Sequence, residues 1–334
     1  METLLRQAYM QRSLRSAINF ILRKLGLTLQ DYEATWERAA FSELYQSRIQ
    51  HVPSTGDWPV ECIVFSKDRA LQLHALLSSC MEKITPRIPF HVLYYGSTSA
   101  HQKAYEEVRE LFSHTTIAFV QQDSGNSFRN NLIALLQSIR SEKMFFLVDD
   151  IVFTEDFDVQ DFAQCDTDKF VQTLRMGLNL KKCYTIQKEQ LLPEVISGTT
   201  KDTIMWRWDE GLYDWAYPLS VDGHFFSTHE MATMIQLLDF SAPNTLEDQL
   251  QKFRRFFLFR MGVCYRKSKI VNIPCNKVQT ENKNLCGDMH QDYLLEQWQQ
   301  GYQMDFRSLY GFANESAHQE IPFGLIKWHG VGVP

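Results

Sequence analysis

The stretch Lys143–Phe153, KMFFLVDDIVF, constrains this sequence more than any other. Its apolar run Met144–Val148 predicts a buried strand of a parallel sheet, because such strands are covered on both faces and read as continuous hydrophobic runs. Two carboxylates, Asp149 and Asp150, follow at once, and an unpaired charge inside a core is costly. We therefore expect both acids at the carboxyl end of the strand, facing the crevice where open α/β sheets bind ligands. A hard divalent cation that shares its coordination with substrate phosphates suits two acids there. The alternative is that the acids cap a turn or meet an arginine.

Composition bounds the class of protein. The chain has 334 residues, 44% hydrophobic and 22% charged, which is typical of a globular protein of one or two domains. The net charge of −6 argues against extensive nucleic-acid binding. Seven cysteines, odd in number and without a CxxC pair, favour a reducing compartment. With neither a secretory signal nor an apolar run long enough to span a membrane, the sequence predicts a cytoplasmic protein.

The first 55 residues predict a helical extension. Five basic residues and one acid lie within residues 1–25, among apolar residues at helical spacing. This helix either packs on the main domain with its charges solvated or lies peripherally on the inner face of an anionic membrane. We expect the main domain to span residues 56–334, with a nucleotide-binding half at 56–155 and an acceptor-binding half at 156–334.

Strands and helices alternate after residue 59, which predicts right-handed βαβ crossovers and a mainly parallel sheet flanked by helices. The predicted strands are Val60–Phe65, Phe90–Tyr95, Thr116–Val120 and Met144–Val148, and the predicted helices between them are Arg69–Met81, Ala100–Phe112 and Ser127–Ile139. Further along, the pattern predicts helices at Lys169–Met176, His229–Phe240 and Thr245–Phe259, the last capped by Asn244, and strands at Lys182–Gln187 and Ile270–Ile273.

Polar residues follow the first strand directly. Ser66, Lys67, Asp68 and Arg69 stand between this strand and the next helix. Such a turn can hold a nucleotide, with the aspartate accepting from base or ribose and the arginine facing phosphate. The alternative is a helix cap, which Asp and Ser favour.

The combination of CIVFSKDRALQLHALLSSC with FFLVDDIVF about 80 residues later resembles the GT-A glycosyltransferases, especially bacterial sugar transferases related to family 2. The resemblance covers roughly residues 60–155 in its motifs. It implies that the first strand and turn hold the nucleotide of a sugar donor, and that an acidic motif after the fourth strand holds Mn²⁺ or Mg²⁺ against the donor diphosphate. This chain has Asp149-Asp150-Ile151 where the family commonly has a further acid, and by analogy Asp150 is the better metal ligand.

Residues 206–226, WRWDEGLYDWAYPLSVDGHFF, would then lie at the acceptor site. Sugar rings pack on flat aromatic faces, which Trp206, Trp208 and Trp215 offer, and Asp222 can accept from sugar hydroxyls. His224 can orient a diphosphate or a hydroxyl, or can be a satisfied core histidine. An aromatic-rich core segment is the alternative for the tryptophans.

Inverting members of the family deprotonate the acceptor hydroxyl with one carboxylate, often in a Glu-Asp pair at the start of a helix. Glu247 and Asp248 look similar, although Asn244 with Glu247 is also a serviceable capping box. Arg175 is either a phosphate contact or a solvated helix arginine. Residues 277–284 suggest a mobile loop over the donor, and His290 and His318 are candidates for a late metal or phosphate ligand.

With the resemblance, these features predict a metal-dependent glycosyltransferase of bacterial glycan biosynthesis, and the likeness to family 2 implies inversion. The donor would be a UDP- or GDP-sugar, and the acceptor a hydroxyl of a glycan or glycolipid. Two alternatives stay open: a nucleotidyltransferase-like enzyme, and a non-catalytic scaffold with a degenerate site.

Overall fold

The computed structural model describes residues 32–53, 56–123, 125–275 and 290–328. The chain forms two compact units, 1–49 and 50–334, and helix α1 (Tyr32–Gln50) covers the described part of the first. The basic helix predicted within residues 1–25 lies outside the described residues. The predicted division of the main domain at residue 155 stays a prediction.

The remaining helices are α2 (Ala70–Lys83), α3 (Ser99–Leu111), α4 (Phe128–Leu136), α5 (Gln160–Ala163), α6 (Thr228–Leu237), α7 (Pro243–Leu250), α8 (Arg254–Phe257) and α9 (Gln291–Gln299). The strands are β1 (Glu61–Lys67), β2 (Ile84–Thr85), β3 (Phe90–Tyr95), β4 (Ile117–Gln121), β5 (Lys143–Val148), β6 (Ile151–Phe153), β7 (Phe157–Asp158), β8 (Phe170–Thr173), β9 (Lys182–Cys183), β10 (Lys188–Glu189), β11 (Ile196–Ser197), β12 (Thr203–Arg207), β13 (Phe225–Ser227), β14 (Met261–Tyr265), β15 (Ile270–Asn272), β16 (Tyr302–Met304) and β17 (Leu325–Lys327). Within the described residues, no helix combines the length and the apolar character needed to cross a bilayer.

A five-stranded central sheet organises the main unit. Its order is β13-β5-β1-β3-β4, and only β13, at one edge, runs antiparallel to its neighbour. Strands β1 and β5 are almost wholly buried, as their continuous apolar runs predict. The predicted α/β class, with a mainly parallel central sheet flanked by helices, is confirmed.

A second sheet of order β11-β12-β14-β8 follows in the chain. Strand β14 is parallel to β8 and antiparallel to β12. The hydrophobic core includes the leucines of α2, which is buried from Ala70 to Met81 and packs against β6, α3 and β16. The second half of the chain thus adds its own short strands beside the parallel sheet.

Four local predictions differ from the structure. Of the strand predicted at Lys182–Gln187, only Lys182–Cys183 forms, as β9, and residues 184–186 form a 3₁₀ turn. Residues predicted as a helix at Lys169–Met176 form β8 instead, because the segment pairs with β14 in the sheet. The single helix predicted at Thr245–Phe259 is divided into α7, a 3₁₀ turn and α8. Helix α7 begins at Pro243, which suits the first helical position, and Thr245 Oγ1 accepts from the Ala242 amide at 2.9 Å, so Asn244 is not the cap.

Candidate functional site

The pairing of β1 with β5 brings the two polar strand ends together. Because Phe65 lies opposite Val148, the next residues, Ser66 and Asp149, become neighbours. Ser66 Oγ donates to Asp149 Oδ2 at 2.8 Å, and the Lys67 amide donates to the same oxygen at 3.2 Å. Asp149 is 3% exposed, so the serine and the amide satisfy a carboxylate that water does not reach.

Arg69 lies between the two acids, which we call the acid pair (Asp149 and Asp150). Its Nη1 donates to Asp149 Oδ1 at 2.9 Å and to Asp150 Oδ2 at 3.0 Å. Burial lowers the pKa of a guanidinium, but the two carboxylates raise the pKa of Arg69 above its usual range. The Arg69 amide also donates to the hydroxyl of Tyr105, which lies 2.7 Å from Ser66 Oγ. The acids therefore meet an arginine, as the alternative interpretation of the sequence expected.

This arrangement separates the two predicted metal ligands. Both oxygens of Asp149 accept hydrogen bonds, whereas Asp150 Oδ1 is buried and has no hydrogen-bond partner. Burial, together with the charges of Asp149 and Asp222, raises the pKa of Asp150 to about 6 despite Arg69. The described residues contain no group of three metal-ligating side chains. The predicted ligation of a cation by both acids stays a prediction. The unpartnered oxygen makes Asp150 the more suitable of the two, together with substrate phosphates, because such ions often take only one or two carboxylates.

Asp68 joins the ends of β1 and β3. Its backbone has φ of 55°, in the left-handed region, and its Oδ1 accepts from the Ser97 amide at 2.7 Å. The Asp68 amide donates to the Tyr95 carbonyl at 3.1 Å. Asp68 therefore does not cap α2, whose N-cap residue, Arg69, makes no side-chain capping bond. The side chain of Lys67 is exposed at the same edge.

A second group of charged residues, which we call the inner cluster, consists of Arg175, Asp214, Asp222, Glu247 and His318. Arg175 Nη2 donates to Asp214 Oδ1 at 2.9 Å, and its Nη1 lies 3.4 Å from Asp222 Oδ2. His318 Nε2 lies 3.1 Å from the same Asp222 oxygen. Burial opposes both shifts, but the acids raise the pKa of Arg175 and of His318, and the histidine holds the pKa of Asp222 below its usual value. Arg175 is thus neither helical nor solvated.

Strand β15 brings the inner cluster to the acid pair. The Ile273 amide donates to the Asp150 carbonyl at 2.8 Å, which fixes the end of the strand beside that acid. The Asn272 amide donates to the Ala317 carbonyl at 3.0 Å, so that His318 lies against the same strand. The charges of Asp222 and His318 both shift the pKa of Asp150, which places the two groups within electrostatic reach of each other.

Glu247 is the member of the inner cluster that lies on α7, where it is half-buried. Its Oε2 accepts from the Val221 amide at 3.3 Å, and the Tyr217 hydroxyl faces it. Burial and the charge of Asp222 raise the pKa of Glu247 to about 7, despite Arg175. Glu247 is therefore not engaged in the capping box that the sequence allowed, since Thr245 occupies that role. The side chain of Asp248 is exposed.

The three tryptophans predicted to contact a sugar lie in the core. Trp206, Trp208 and Trp215 are at most 1% exposed, and their rings pack on one another at 4.6 and 4.8 Å between centroids. Trp206 Nε1 donates to the Trp215 carbonyl at 3.0 Å. In this structure their faces are covered by other side chains, so they form the wall behind the inner cluster rather than a sugar-stacking surface.

His224 is buried beside this wall. Its Nδ1 lies 3.1 Å from the Pro218 carbonyl, so that nitrogen donates and Nε2, which has no partner, is the unprotonated one. Burial, with Arg175 nearby, lowers the pKa of His224 to about 3. His224 is therefore a neutral core histidine that holds the 218–224 segment in place.

Gly223 allows Asp222 and His224 to take these positions. Its φ is +74°, and an added Cβ would lie 2.7 Å from Ile270 Cδ1. We expect Gly223→Ala to lower the free energy of unfolding by about 2 to 5 kcal/mol, from backbone strain and overpacking. Gly301→Ala is the matched control, because φ there is +81° with no atom within 4 Å of the added Cβ. In denaturant unfolding, Gly301→Ala should lower the free energy of unfolding by only about 1 kcal/mol. Equal losses in the two variants would show that the side chains around Gly223 can move to accommodate the added methyl group.

The structure brings together most of the predicted residues and adds Tyr105. The first-strand residues, the acid pair, Asp222 and Glu247 meet at one edge of the sheet, with Arg175 and His318 beside them. Tyr105 was not singled out by sequence reasoning, because it belongs to no local motif. The predicted loop at 277–284 lies outside the described residues, and His290 caps α9 on an exposed surface. A surface depression of about 460 Å³ near Trp298 includes none of the site residues.

No protein-family model matches the sequence, and no curated protein has a sequence similar to it. Solved structures do match. The mannosyltransferase PcManGT from Pyrobaculum calidifontis, in complex with GDP-Man and Mn²⁺, is 15% identical over 42% of this chain and 45% of that chain, with a TM-score of 0.30. S. aureus TarS 1-349 in complex with UDP-GlcNAc is 14% identical over 66% and 59%, with a TM-score of 0.41. The 4-diphosphocytidyl-2C-methyl-D-erythritol synthase from Anaerococcus prevotii is 10% identical over 72% and 96%, with a TM-score of 0.37. This chain thus spans about half of PcManGT and three fifths of TarS 1-349.

Proposed function

We propose that this protein transfers a glycosyl group from a nucleotide sugar to a hydroxyl acceptor by direct, inverting displacement. The observation that carries the proposal is that β15 joins the acid pair to the inner cluster where β1 and β5 end. Ligands of open α/β sheets bind at this edge. A carboxyl whose pKa lies near 7, such as Glu247, suits a general base at neutral pH.

On the donor side, Asp68 and Lys67 would contact the nucleoside and its phosphates at the end of β1. Asp150 would hold Mn²⁺ or Mg²⁺ through the oxygen that has no partner in the protein. When bound, the cation would supply positive charge against the departing diphosphate. Asp149 would act as a positioning residue, since its two oxygens hold Ser66 and Arg69.

On the acceptor side, Glu247 would take the proton of the attacking hydroxyl. Asp222 would keep His318 charged, because the ion pair raises the pKa of the histidine. That positive charge acts on both the proposed base and Asp150, since it lowers the pKa of each, and a departing diphosphate would need such a charge nearby. The tryptophans would shape the acceptor side from behind without touching the sugar.

Thermal unfolding with donor and Mn²⁺ tests the donor side. UDP-GlcNAc and GDP-mannose, the donors bound in two of the solved structures, are the first to try. At saturating donor and Mn²⁺ we expect one of them to raise the Tm of the wild-type protein by about 5 °C, because a ligand that binds only the folded state stabilises it. Asp150→Asn should lose this shift. Asp156→Asn, which changes an aspartate that is 84% exposed, should keep it.

Two results would count against the proposal. A donor shift that survives unchanged in Asp150→Asn would reject the cation role of that residue. If neither donor, nor UDP or GDP with Mn²⁺, raised the Tm of the wild-type protein, a non-catalytic scaffold would be the better interpretation. Release of free sugar from the stabilising donor would in turn exclude that interpretation, since a scaffold leaves the donor intact.

A further inference from the structure

Residues 251–259, QKFRRFFLF, present two different faces. Phe253 and Phe257 are buried in the core. Lys252, Arg255 and Phe259 are exposed, and their spacing of three and four residues puts them on one side of a helical segment. We call these three residues the outer face.

Phe259 is unusual among the exposed apolar residues. It is 92% exposed, more than any other large hydrophobic side chain of the described residues. Single exposed apolar side chains are ordinary on protein surfaces. This one, however, is a full phenyl ring on the same side as two basic side chains, in a position that an amphipathic helix reserves for polar residues.

The exposure of Phe259 does not result from a poorly attached segment. The adjacent Arg260 is 4% exposed, and its two terminal nitrogens donate to both carboxylate oxygens of Glu230. The same guanidinium lies 3.9 Å from the centre of the Phe257 ring and donates to the Thr167 carbonyl. The Arg254 Nε donates to the Ala216 carbonyl at 3.2 Å. Hydrogen bonds therefore hold the segment to the core both before and after Phe259 in the sequence.

The charge of this region is also distinct from that of the chain. Residues 251–259 contain three Lys or Arg and no Asp or Glu, although the whole chain has a net charge of −6. The exposed Asp248 lies one helical turn before Lys252, so it offsets part of this positive charge. Exposed cations around a protruding aromatic ring complement a surface that is anionic outside and apolar beneath. We propose that the outer face binds the surface of a membrane that contains anionic lipid, with Phe259 entering the acyl boundary and Lys252 and Arg255 at the headgroups.

This surface also indicates the class of acceptor, an extension that rests on the proposed function. Glu247 precedes Phe259 by 12 residues of nearly continuous helical structure. At about 1.5 Å per residue, the proposed base then lies within roughly 20 Å of the ring along the chain. A membrane bound at the outer face would present its headgroup layer to the acceptor side, so we expect a hydroxyl acceptor carried on a lipid.

Sedimentation of the full chain with lipid vesicles tests the membrane proposal. The vesicles are phosphatidylcholine alone or with about 30% phosphatidylglycerol. We expect the protein to bind the anionic vesicles, and Phe259→Ser to weaken that binding about tenfold, as expected for losing the burial of one phenyl ring. Lys252→Gln with Arg255→Gln should weaken it about 25-fold, because each cation near an anionic surface contributes about fivefold. Leu191→Ser is the matched control, since this side chain is 78% exposed and lies outside the outer face.

Equal binding by wild-type and Phe259→Ser would overturn the proposal, as would equal binding to neutral and anionic vesicles. A dimer that forms without vesicles and is lost in Phe259→Ser, with no vesicle binding, would assign the face to self-association instead. Near-identical Tm values for Phe259→Ser and wild type show that the variant is folded. Because no donor or acceptor is present, this result is independent of glycosyl transfer, and a loss of transfer in Glu247→Gln would leave vesicle binding unchanged.

Discussion

Glu247→Gln is expected to lower the rate of glycosyl transfer about 10²- to 10⁴-fold, which is the usual contribution of a general base. The amide keeps the shape of the side chain and its contact with the Val221 amide, but it cannot take a proton. Binding of the donor, which engages the other side of the crevice, should stay within about a factor of two. Steady-state kinetics and calorimetric titration of the donor measure the two effects separately, on the donor that raises the Tm of the wild-type protein.

Asp248→Asn distinguishes the two carboxylates that the sequence proposed as the base. Its side chain is exposed and outside the inner cluster, so we expect transfer to stay within a few-fold of wild type. A large loss in Asp248→Asn with activity retained in Glu247→Gln would reverse the assignment.

The ionised form of the base is the active one, so kcat/KM should rise with pH and level off above about 7.

The same pKa predicts how Glu247 affects stability. Its pKa in the folded protein is about 7, above the ordinary value of about 4.3, so folding favours the protonated form. The contribution to stability is then complete at acidic pH and is lost as the pH rises through 7. Glu247→Gln, which is always neutral, should therefore have a higher Tm than wild type at pH 8 and a similar Tm at pH 4.

Arg175→Met is expected to lower the free energy of unfolding at pH 7 by about 3 to 5 kcal/mol, because it leaves Asp214 and Asp222 buried without the guanidinium between them. The substitution keeps an unbranched side chain of similar length, so lost packing accounts for little of the effect. Arg207→Met is the matched control. Arg207 also contacts two acids, but its side chain is 57% exposed, and water replaces the lost ion pairs at a cost below about 1 kcal/mol.

Urea unfolding of both variants at pH 7 measures the difference. Arg175→Met combined with Asp214→Asn should regain part of the lost stability, since the second change removes one of the unpaired charges. Similar losses in Arg175→Met and Arg207→Met would mean that water enters the inner cluster readily. In that case burial would not be the cause of the raised pKa of Glu247.

The sheet and the meeting of Ser66 with Asp149 could be predicted because their signals are local. The parallel strands are apolar runs, helices α2 and α4 repeat their leucines at helical spacing, and the polar residues follow the strand ends directly. The neighbourhood of Ser66 and Asp149 then follows from the register of two adjacent parallel strands. These inferences need no knowledge of distant contacts.

The inner cluster could not be predicted in the same way, because its parts meet only through tertiary contacts. His318 follows Asp222 by 96 residues in the chain. The two meet because the segment that contains His318 pairs with Asn272 of β15. Arg175 follows β8, a segment whose sequence pattern alone predicts a helix. Its burial therefore cannot be predicted without knowing that β8 pairs with β14. An aromatic-rich sequence such as 206–226 is compatible with a sugar-binding surface or a core, and the packing of Trp206 against Trp215 decides for the core.

The position of Arg69 also determines what a nucleotide diphosphate meets as it approaches the crevice. An acid pair alone would repel an anion over a Debye length, about 8 to 10 Å near physiological salt. Arg69 and Lys67 each bring a positive charge to the acid pair, so part of this repulsion is offset within the protein before any ion arrives from solution. Encounter with the donor should therefore depend less on ionic strength than it would with the two acids alone, and discrimination between donors should arise after contact, in how long each one stays.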